Sequence, residues 1–463
     1  MKKPNRFITL GNEEMNYCFL PSGDIYTFHG GKILLNQFRG NLKDGSVNNI
    51  WLRLFQDKKT LVYPLLGIRS SSNLSVTDHA LRFTGQIEDI SYTVTFTFSG
   101  HAWFWEVTLR GNAQAYDLIY GQDIGLAFES AIYTNELYNS QYLDHAVFES
   151  SKGSVICTRQ NMACDDTYPY LQQGLLKNKA VSYSTDGLQF FGLTTKEGKL
   201  PKACLEGLEN RKLQYEFAYS ALQTEKHALS GEDTTVFYTL FHSNHPDAVQ
   251  KIEYQEELQA EWKNCCAFLS VVDAPFTACD NLKVKAAFGA PICSDSISSK
   301  ELEKFYPDRI LEEYSDHTLL SFFTPDHAHV VTKEKEQKTE RPHGTIIITP
   351  PDTEKSNSRL VSSTQYMYGI FNSHVVIGNT DMHKFLSTPR GFLNLLTNSG
   401  QRLYVFLNNQ WHLLTLPALF EMGMNYSRWY YKINNDVLRV TSYTQTESPE
   451  ITLEAESLGK IPY

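Results

Sequence analysis

No apolar run in this sequence approaches the roughly 20 residues that a membrane-crossing helix needs, and no C-x-x-C pair occurs among its eight cysteines. Cys18, Cys157, Cys164, Cys204, Cys265, Cys266, Cys279 and Cys293 are scattered along the chain. That spread excludes a zinc ribbon and a dense disulfide framework, and points to reduced thiols. The adjacent Cys265 and Cys266 read as packing on a helix. Charge is sparse too. Only 20% of residues are charged and the net charge is −10, so there is no basic stripe to neutralise phosphates, and nucleic-acid binding is excluded. The start, "MKKPNRFITLGNEEMNYCF", lacks the apolar core of a signal peptide, and a cytoplasmic location is expected. "SGDIYTFHGGK" has glycines but no G-x-x-x-x-G-K-[ST], and neither G-x-S-x-G nor H-E-x-x-H occurs. No cofactor is expected.

Aromatics and strand patterns are abundant. With 27 Phe and 26 Tyr in 463 residues there is material for two or three domains. "NNIWLRLF", "HALRFTG", "ISYTVTFTFSG" and "HAWFWEVTLRG" alternate large apolar with polar residues, as half-buried strands do. The pattern predicts a mainly β chain: a large antiparallel β-sandwich over residues 1–245, a helical connector over 246–300, and a second β-sandwich over 301–463. In the connector, Val249, Ile252, Leu258, Trp262 and Phe268 stand at roughly helical spacing, with His245-Pro246-Asp247 at its start. "SKELEKFYPDRILEEYS" predicts a shorter helical piece, interrupted by Pro307.

The last region reads as a second copy of the first. "IWLRLFQDKKTLVYPLLG" aligns with "RLYVFLNNQWHLLTLPALF", and "DHALRFTGQIEDISYTVTFTFSG" with "NDVLRVTSYTQTESPEITLEAES". The first copy continues through further strands and the second stops soon after, so the second sandwich is expected to be incomplete. Exposed strand edges would then need another chain, or more of this one, to cover them.

Several stretches could carry chemistry. "NELYNSQYLDH" offers Tyr138, Gln141, Tyr142 and Asp144, the ring faces and hydrogen-bonding groups that sugars require. The same residues, with Asn135 and His145, suit a buried polar joint between sheets, or a face toward another domain. "CTRQNM" adds Arg159 and Gln160, with the same two readings. His327 and His329 stand two apart, as on one strand face, and His343 of "RPHG" could complete a metal site; hydrogen-bonded imidazoles are the plainer expectation. Arg341 and His343 could instead meet phosphate or an interface. "KEKEQK" reads as solvated surface, and Arg428, beside Trp429 and tyrosines, as cation–π packing.

"YGQDIGL", "NELYNSQYLDH", "CTRQNM", "YPYLQQG", "RPHGTIII", "YMYGIFNSHVVIGNT" and "FEMGMNYSRWYYK", in this order, resemble the 1,2-β-oligoglucan phosphorylase family, relatives of cellobiose phosphorylase in glycoside hydrolase family 94. The resemblance implies β-sandwich domains ahead of an (α/α)6 barrel that carries the chemistry. There an acid protonates the glycosidic oxygen while phosphate attacks the anomeric carbon with inversion. No run of paired helices is present, so no catalytic residue transfers to this chain. The resemblance implies β-1,2-gluco-oligosaccharide and phosphate as partners of the complete enzyme, with a separately encoded catalytic half or a homo-oligomer as further options. A free-standing β-glucan-binding protein is the alternative, and a self-sufficient sugar enzyme ranks last.

Overall fold

The computed structural model describes residues 7–134, 136–271, 276–279, 282–283, 288–348, 361–368, 374–377, 402–445 and 450–460. The chain forms two compact units, Met1–Gly192 with Pro201–Val284, and Leu193–Leu200 with Lys285–Tyr463.

The first unit is organised by one 22-residue strand, Ala102–Asp123. Its first half pairs with Ile90–Ser99 and His227–His242, and its second half with Asn49–Gln56 and Ala218–Thr224, all antiparallel. The register against His227–His242 shifts between Ala113 and Tyr116, an irregularity that bends such a long strand. These strands belong to a 13-stranded sheet, faced by a five-stranded sheet that begins with Ile8–Gly11 and Met15–Phe19.

"HAWFWEVTLRG" shows why the two sheets pack. Trp103, Trp105, Val107 and Leu109 point to one face and are buried with Tyr17, Phe19, Phe28 and Phe96. Tyr17 meets Phe28 edge-on at 5.0 Å, and Trp105 lies 4.8 Å from Phe96. Ala102 and Phe104 point the other way, under the helix Gln255–Val271, against Leu258, Trp262 and Cys265. Both faces of the strand are therefore buried at its start, which is why Trp and Phe stand side by side there.

That helix begins well beyond His245-Pro246-Asp247, the expected start. His245 is instead held by Glu253 (2.7 Å) and the Asp247 carbonyl (2.7 Å), and Tyr254 adopts a left-handed φ of 58° just before the first turn. Val249 and Ile252 pack against Val155, Cys157 and Tyr170 ahead of the helix rather than on it. Phe268 is 48% exposed. Of the five residues at helical spacing, Leu258 and Trp262 meet the sheet from the helix. All eight cysteines are free thiols.

In the second unit, seven antiparallel strands run in the order Ile310–Ser315, Thr318–Phe323, His329–Thr332, Leu419–Met422, Tyr426–Ile433, Asp436–Thr444, Ile451–Ser457. One face buries Val331, Phe420, Trp429 and Tyr431, and another cluster holds Phe322, Val330 and Tyr430 with Leu302 and Tyr306. Leu302 belongs to the short helix Ser299–Phe305, which opens with a capping box between Ser298 and Glu301. Pro307 follows its end, and the rest of the stretch expected to be helical does not resume the helix: Ile310–Ser315 is an edge strand paired with Thr318–Phe323. No helix among the described residues is long and apolar enough to cross a membrane.

Candidate functional site

Three of the stretches singled out in the sequence meet in one buried polar seam of the first unit. Asp123, of "YGQDIGL", ends the long strand fully buried. Its Oδ2 accepts the backbone N–H groups of Gln37 (2.6 Å) and Phe38 (2.7 Å). The Gln37 amide donates to the Ile124 carbonyl and to Ser140 Oγ (2.5 Å). Beside it, Asn139 donates to the Gly125 carbonyl (2.7 Å) and accepts from Gln160 Nε2 (3.1 Å), whose Oε1 accepts the Met162 N–H (2.9 Å). "NELYNSQYLDH" and "CTRQNM" are thereby tied to the end of the long strand. Backbone that leaves a sheet inside a core needs such partners.

Burial pushes the Asp123 carboxyl up to about 6, against the pull of its backbone donors. Its Oδ1 has no partner among the described residues. A native group that holds its proton to a higher pH than the unfolded chain adds stability below the unfolded value and loses it as pH rises through the folded value. This carboxyl therefore lowers stability between about pH 4 and pH 6, by on the order of 3 kcal/mol once ionised. His145 works in the opposite sense: buried, it is lowered to about 4 and favours folding less as pH falls. Asp123→Asn isolates the aspartate, keeping an acceptor for the two N–H groups. The expected outcome is a variant that gains on the parent at pH 7.5 relative to pH 4.5 in urea unfolding. Parallel profiles would contradict it.

The other residues of these stretches divide by exposure. Tyr138 is half exposed; its hydroxyl lies 2.6 Å from that of Tyr142, with the rings 4.9 Å apart at 62°. Gln141 is exposed and donates to Glu216 (3.3 Å). Asp144 is half-buried, opposite Arg159 in the pairing of Leu143–Ser150 with Gly153–Gln160. The Arg159 guanidinium donates to the carbonyls of His245 (2.7 Å) and Pro246 (2.8 Å) and to Asn161, and lies over the Tyr168 ring at 4.2 Å. It clamps one loop onto another. Asn135 lies outside the described residues.

In the second unit "KEKEQK" is not the solvated surface its composition suggests. Glu336 is fully buried, and one of its oxygens accepts from Lys196 Nζ at 2.9 Å, itself with no exposed side chain. The ammonium also reaches the carbonyls of Glu336 (3.1 Å) and Thr339 (2.7 Å). The other carboxylate oxygen takes His343 Nδ1 (2.6 Å) and the His343 N–H (3.0 Å). His343 is thus fastened to Glu336, while Arg341 is exposed.

His329 stacks on Phe323 (4.6 Å), and His327 sits in the preceding turn at φ 64°, so the strand alternation expected to align the two does not apply. Among the described residues, no group of three His, Cys, Asp or Glu could hold a metal.

Glu421 is a second saturated carboxylate. It accepts from the hydroxyls of Tyr306 (2.5 Å), Tyr430 (3.0 Å) and Tyr426 (2.7 Å) and from Arg428 (3.0 Å). Arg428 lies over Tyr426 at 4.4 Å rather than on Trp429, whose indole donates to the Tyr366 carbonyl. Neighbours on a strand face opposite ways, and the cation pairs with the ring two residues back. Lys196, Glu336 and Glu421 carried no signal in the sequence, because each is defined by partners far along the chain.

Comparison with known proteins places these features. Residues 18–239 match the family model described as the SOGP N-terminal domain, and residues 306–463 that of the glycoside phosphorylase supersandwich domain. The chain belongs to this family of glycoside phosphorylases, as its N-terminal β-sandwich portion. A curated relative, the 1,2-β-oligoglucan phosphorylase of Listeria innocua serovar 6a, is 36% identical over 447 residues, which are 96% of this chain and 40% of that protein. The chain spans less than half the length of that relative. Among solved structures, a bacterial glucoamylase complexed with acarbose matches at TM-score 0.32 and 11% identity, over 58% of this chain and 37% of that one. A galactose mutarotase-like protein from Lactobacillus casei matches at TM-score 0.29 and 10% identity, over 51% of this chain and all of that one.

Proposed function

We propose that this chain is the non-catalytic β-sandwich portion of a 1,2-β-oligoglucan phosphorylase, shaping the cleft and the assembly of an enzyme whose chemistry resides elsewhere. The complete enzyme would carry out reversible phosphorolysis of β-1,2-gluco-oligosaccharides to α-glucose 1-phosphate. Oligosaccharide and phosphate would be its ligands, and a separately encoded catalytic half or a second copy of the chain its partners.

The observation that carries this reading is the fate of the carboxylates. A general acid in a sugar cleft must hold its proton near neutral pH and face the glycosidic oxygen. Among the described residues, two carboxyls are pushed upward, Asp24 and Asp123, both by burial. Asp24 accepts from the N–H groups of Ser46 (2.9 Å) and Ile68 (2.8 Å) and from Ser22 Oγ (2.6 Å). Asp123 ties Gln37 and Phe38 in the same way. Both serve backbone turns inside the sandwich.

The test is phosphorolysis. The pure chain with phosphate and β-1,2-gluco-oligosaccharides is expected to release no glucose 1-phosphate, and to support release when supplied with the remaining portion of the Listeria relative. Release by the pure chain would overturn the non-catalytic role. The alternative, a free-standing glucan-binding protein, predicts no release of glucose 1-phosphate even when that portion is supplied.

A further inference from the structure

The first unit contains a cavity of about 270 Å³ at the C-terminal half of the helix Gln255–Val271. Its walls come from three places. Thr97 and Phe98 belong to the strand Ile90–Ser99, Asp78 and His79 to the turn between Asn73–Val76 and Ala80–Ile87, and Phe268 and Phe276 to the helix and the chain after it. Phe268 stands at 48% exposure with its ring 4.6 Å from the His79 imidazole. The Arg82 guanidinium, 3.5 Å from the Phe276 ring centroid, packs that ring in place. Asp78 and His79 are exposed, and the Asp78 carboxylate has no ion-pair partner among the described residues.

We propose that this cavity binds one neutral pyranose ring, the end unit of a gluco-oligosaccharide. Three aromatic rings supply apolar faces for the C–H surface of a sugar. A carboxylate, an imidazole and a threonine hydroxyl supply the directional hydrogen bonds that fix its hydroxyls. Among the described residues no lysine or arginine lines the cavity, so a phosphate or other anion would meet Asp78 uncompensated. A quaternary ammonium would suit the rings and Asp78 but leave the threonine hydroxyl unused. The volume lies just below the roughly 300–1,000 Å³ of pockets for larger ligands, which limits occupancy to a single ring. Burial pushes the Cys265 thiol in the wall up to about 12, so it stays protonated and the cavity binds without reacting. The choice of a glucose unit over another neutral ring rests on the family reading above.

Calorimetry on the full chain with glucose and with a β-1,2-linked glucotriose tests it. Both sugars are expected to bind with similar affinity. Phe268→Ala and Asp78→Asn should each weaken binding at least tenfold, whereas Tyr138→Ala should not. Both substitutions fall at exposed positions, and unchanged circular dichroism would show that the variants fold. Affinity unchanged from the parent in either variant, no sugar binding by the parent, or binding of choline without sugar would each overturn the proposal. A silent cavity beside a positive phosphorolysis assay with the added portion removes the cavity and keeps the proposed role in phosphorolysis. Sugar binding that depends on Phe268 and Asp78, beside a negative assay, keeps the cavity and removes that role.

Discussion

Glu336→Ala is expected to cost the second unit about 3–5 kcal/mol, because it strands a buried ammonium. Lys196 and Glu336 are both without exposed side-chain surface. Burial holds the Lys196 ammonium below its ordinary pKa, and Glu336 pulls it back upward. Removing the carboxylate leaves the cation two carbonyls in place of a countercharge, and releases His343 as well. The loss should appear as a lower urea midpoint for the transition of this unit. Replacing both partners by apolar residues, Glu336→Leu with Lys196→Met, should recover most of it, since a buried pair is worth little against a packed apolar isostere. A single-variant loss below about 1 kcal/mol would mean that water reaches the pair.

Trp105→Ala is expected to destabilise the first unit by a similar amount, about 3–5 kcal/mol, for an apolar reason. Its side chain is fully buried, with ring centroids of Phe96 at 4.8 Å, Phe83 at 6.2 Å and Phe19 at 6.4 Å. Those rings come from both sheets and cannot collapse into the space together, so the cost adds a cavity to the lost transfer free energy. Trp105→Phe keeps most of the contact and should lose clearly less. Thermal unfolding followed by near-ultraviolet circular dichroism would rank the variants. Equal losses for Ala and Phe would point to the indole N–H instead of the ring volume.

The internal likeness between the two halves holds at the level of hairpins. Asp57-Lys58 links Asn49–Gln56 to Lys59–Pro64, and Asn408-Asn409 links Tyr404–Leu407 to Gln410–Leu413. Both are two-residue turns with positive φ at each position, 43° and 68° in the first, 51° and 63° in the second. The second aligned pair also falls on hairpins, Ala80–Ile87 with Ile90–Ser99 and Asp436–Thr444 with Ile451–Ser457. Sheet membership differs. Asn49–Gln56 joins the large sheet by pairing with Ala102–Asp123, whereas Tyr404–Leu413 forms a two-stranded sheet of its own among the described residues. A hairpin is specified by its turn and its alternation; the neighbour of its outer edge is not.

The sequence by itself determined the mainly β architecture, a short helix ahead of Pro307 and the family, because side-chain period and ordered motifs are local and survive without knowledge of the fold. The tertiary structure decided what the polar residues are for. Arg159 reaches carbonyls 86 and 87 residues away, Lys196 finds Glu336 across 140, and Gln37 joins Ser140 across 103. An arginine on a strand or a glutamate in a charged run has the same local pattern whether it faces water or a buried partner. Burial and pairing are fixed only when distant strands close over the residue, and that closure separates Glu336 from the surface charges beside it.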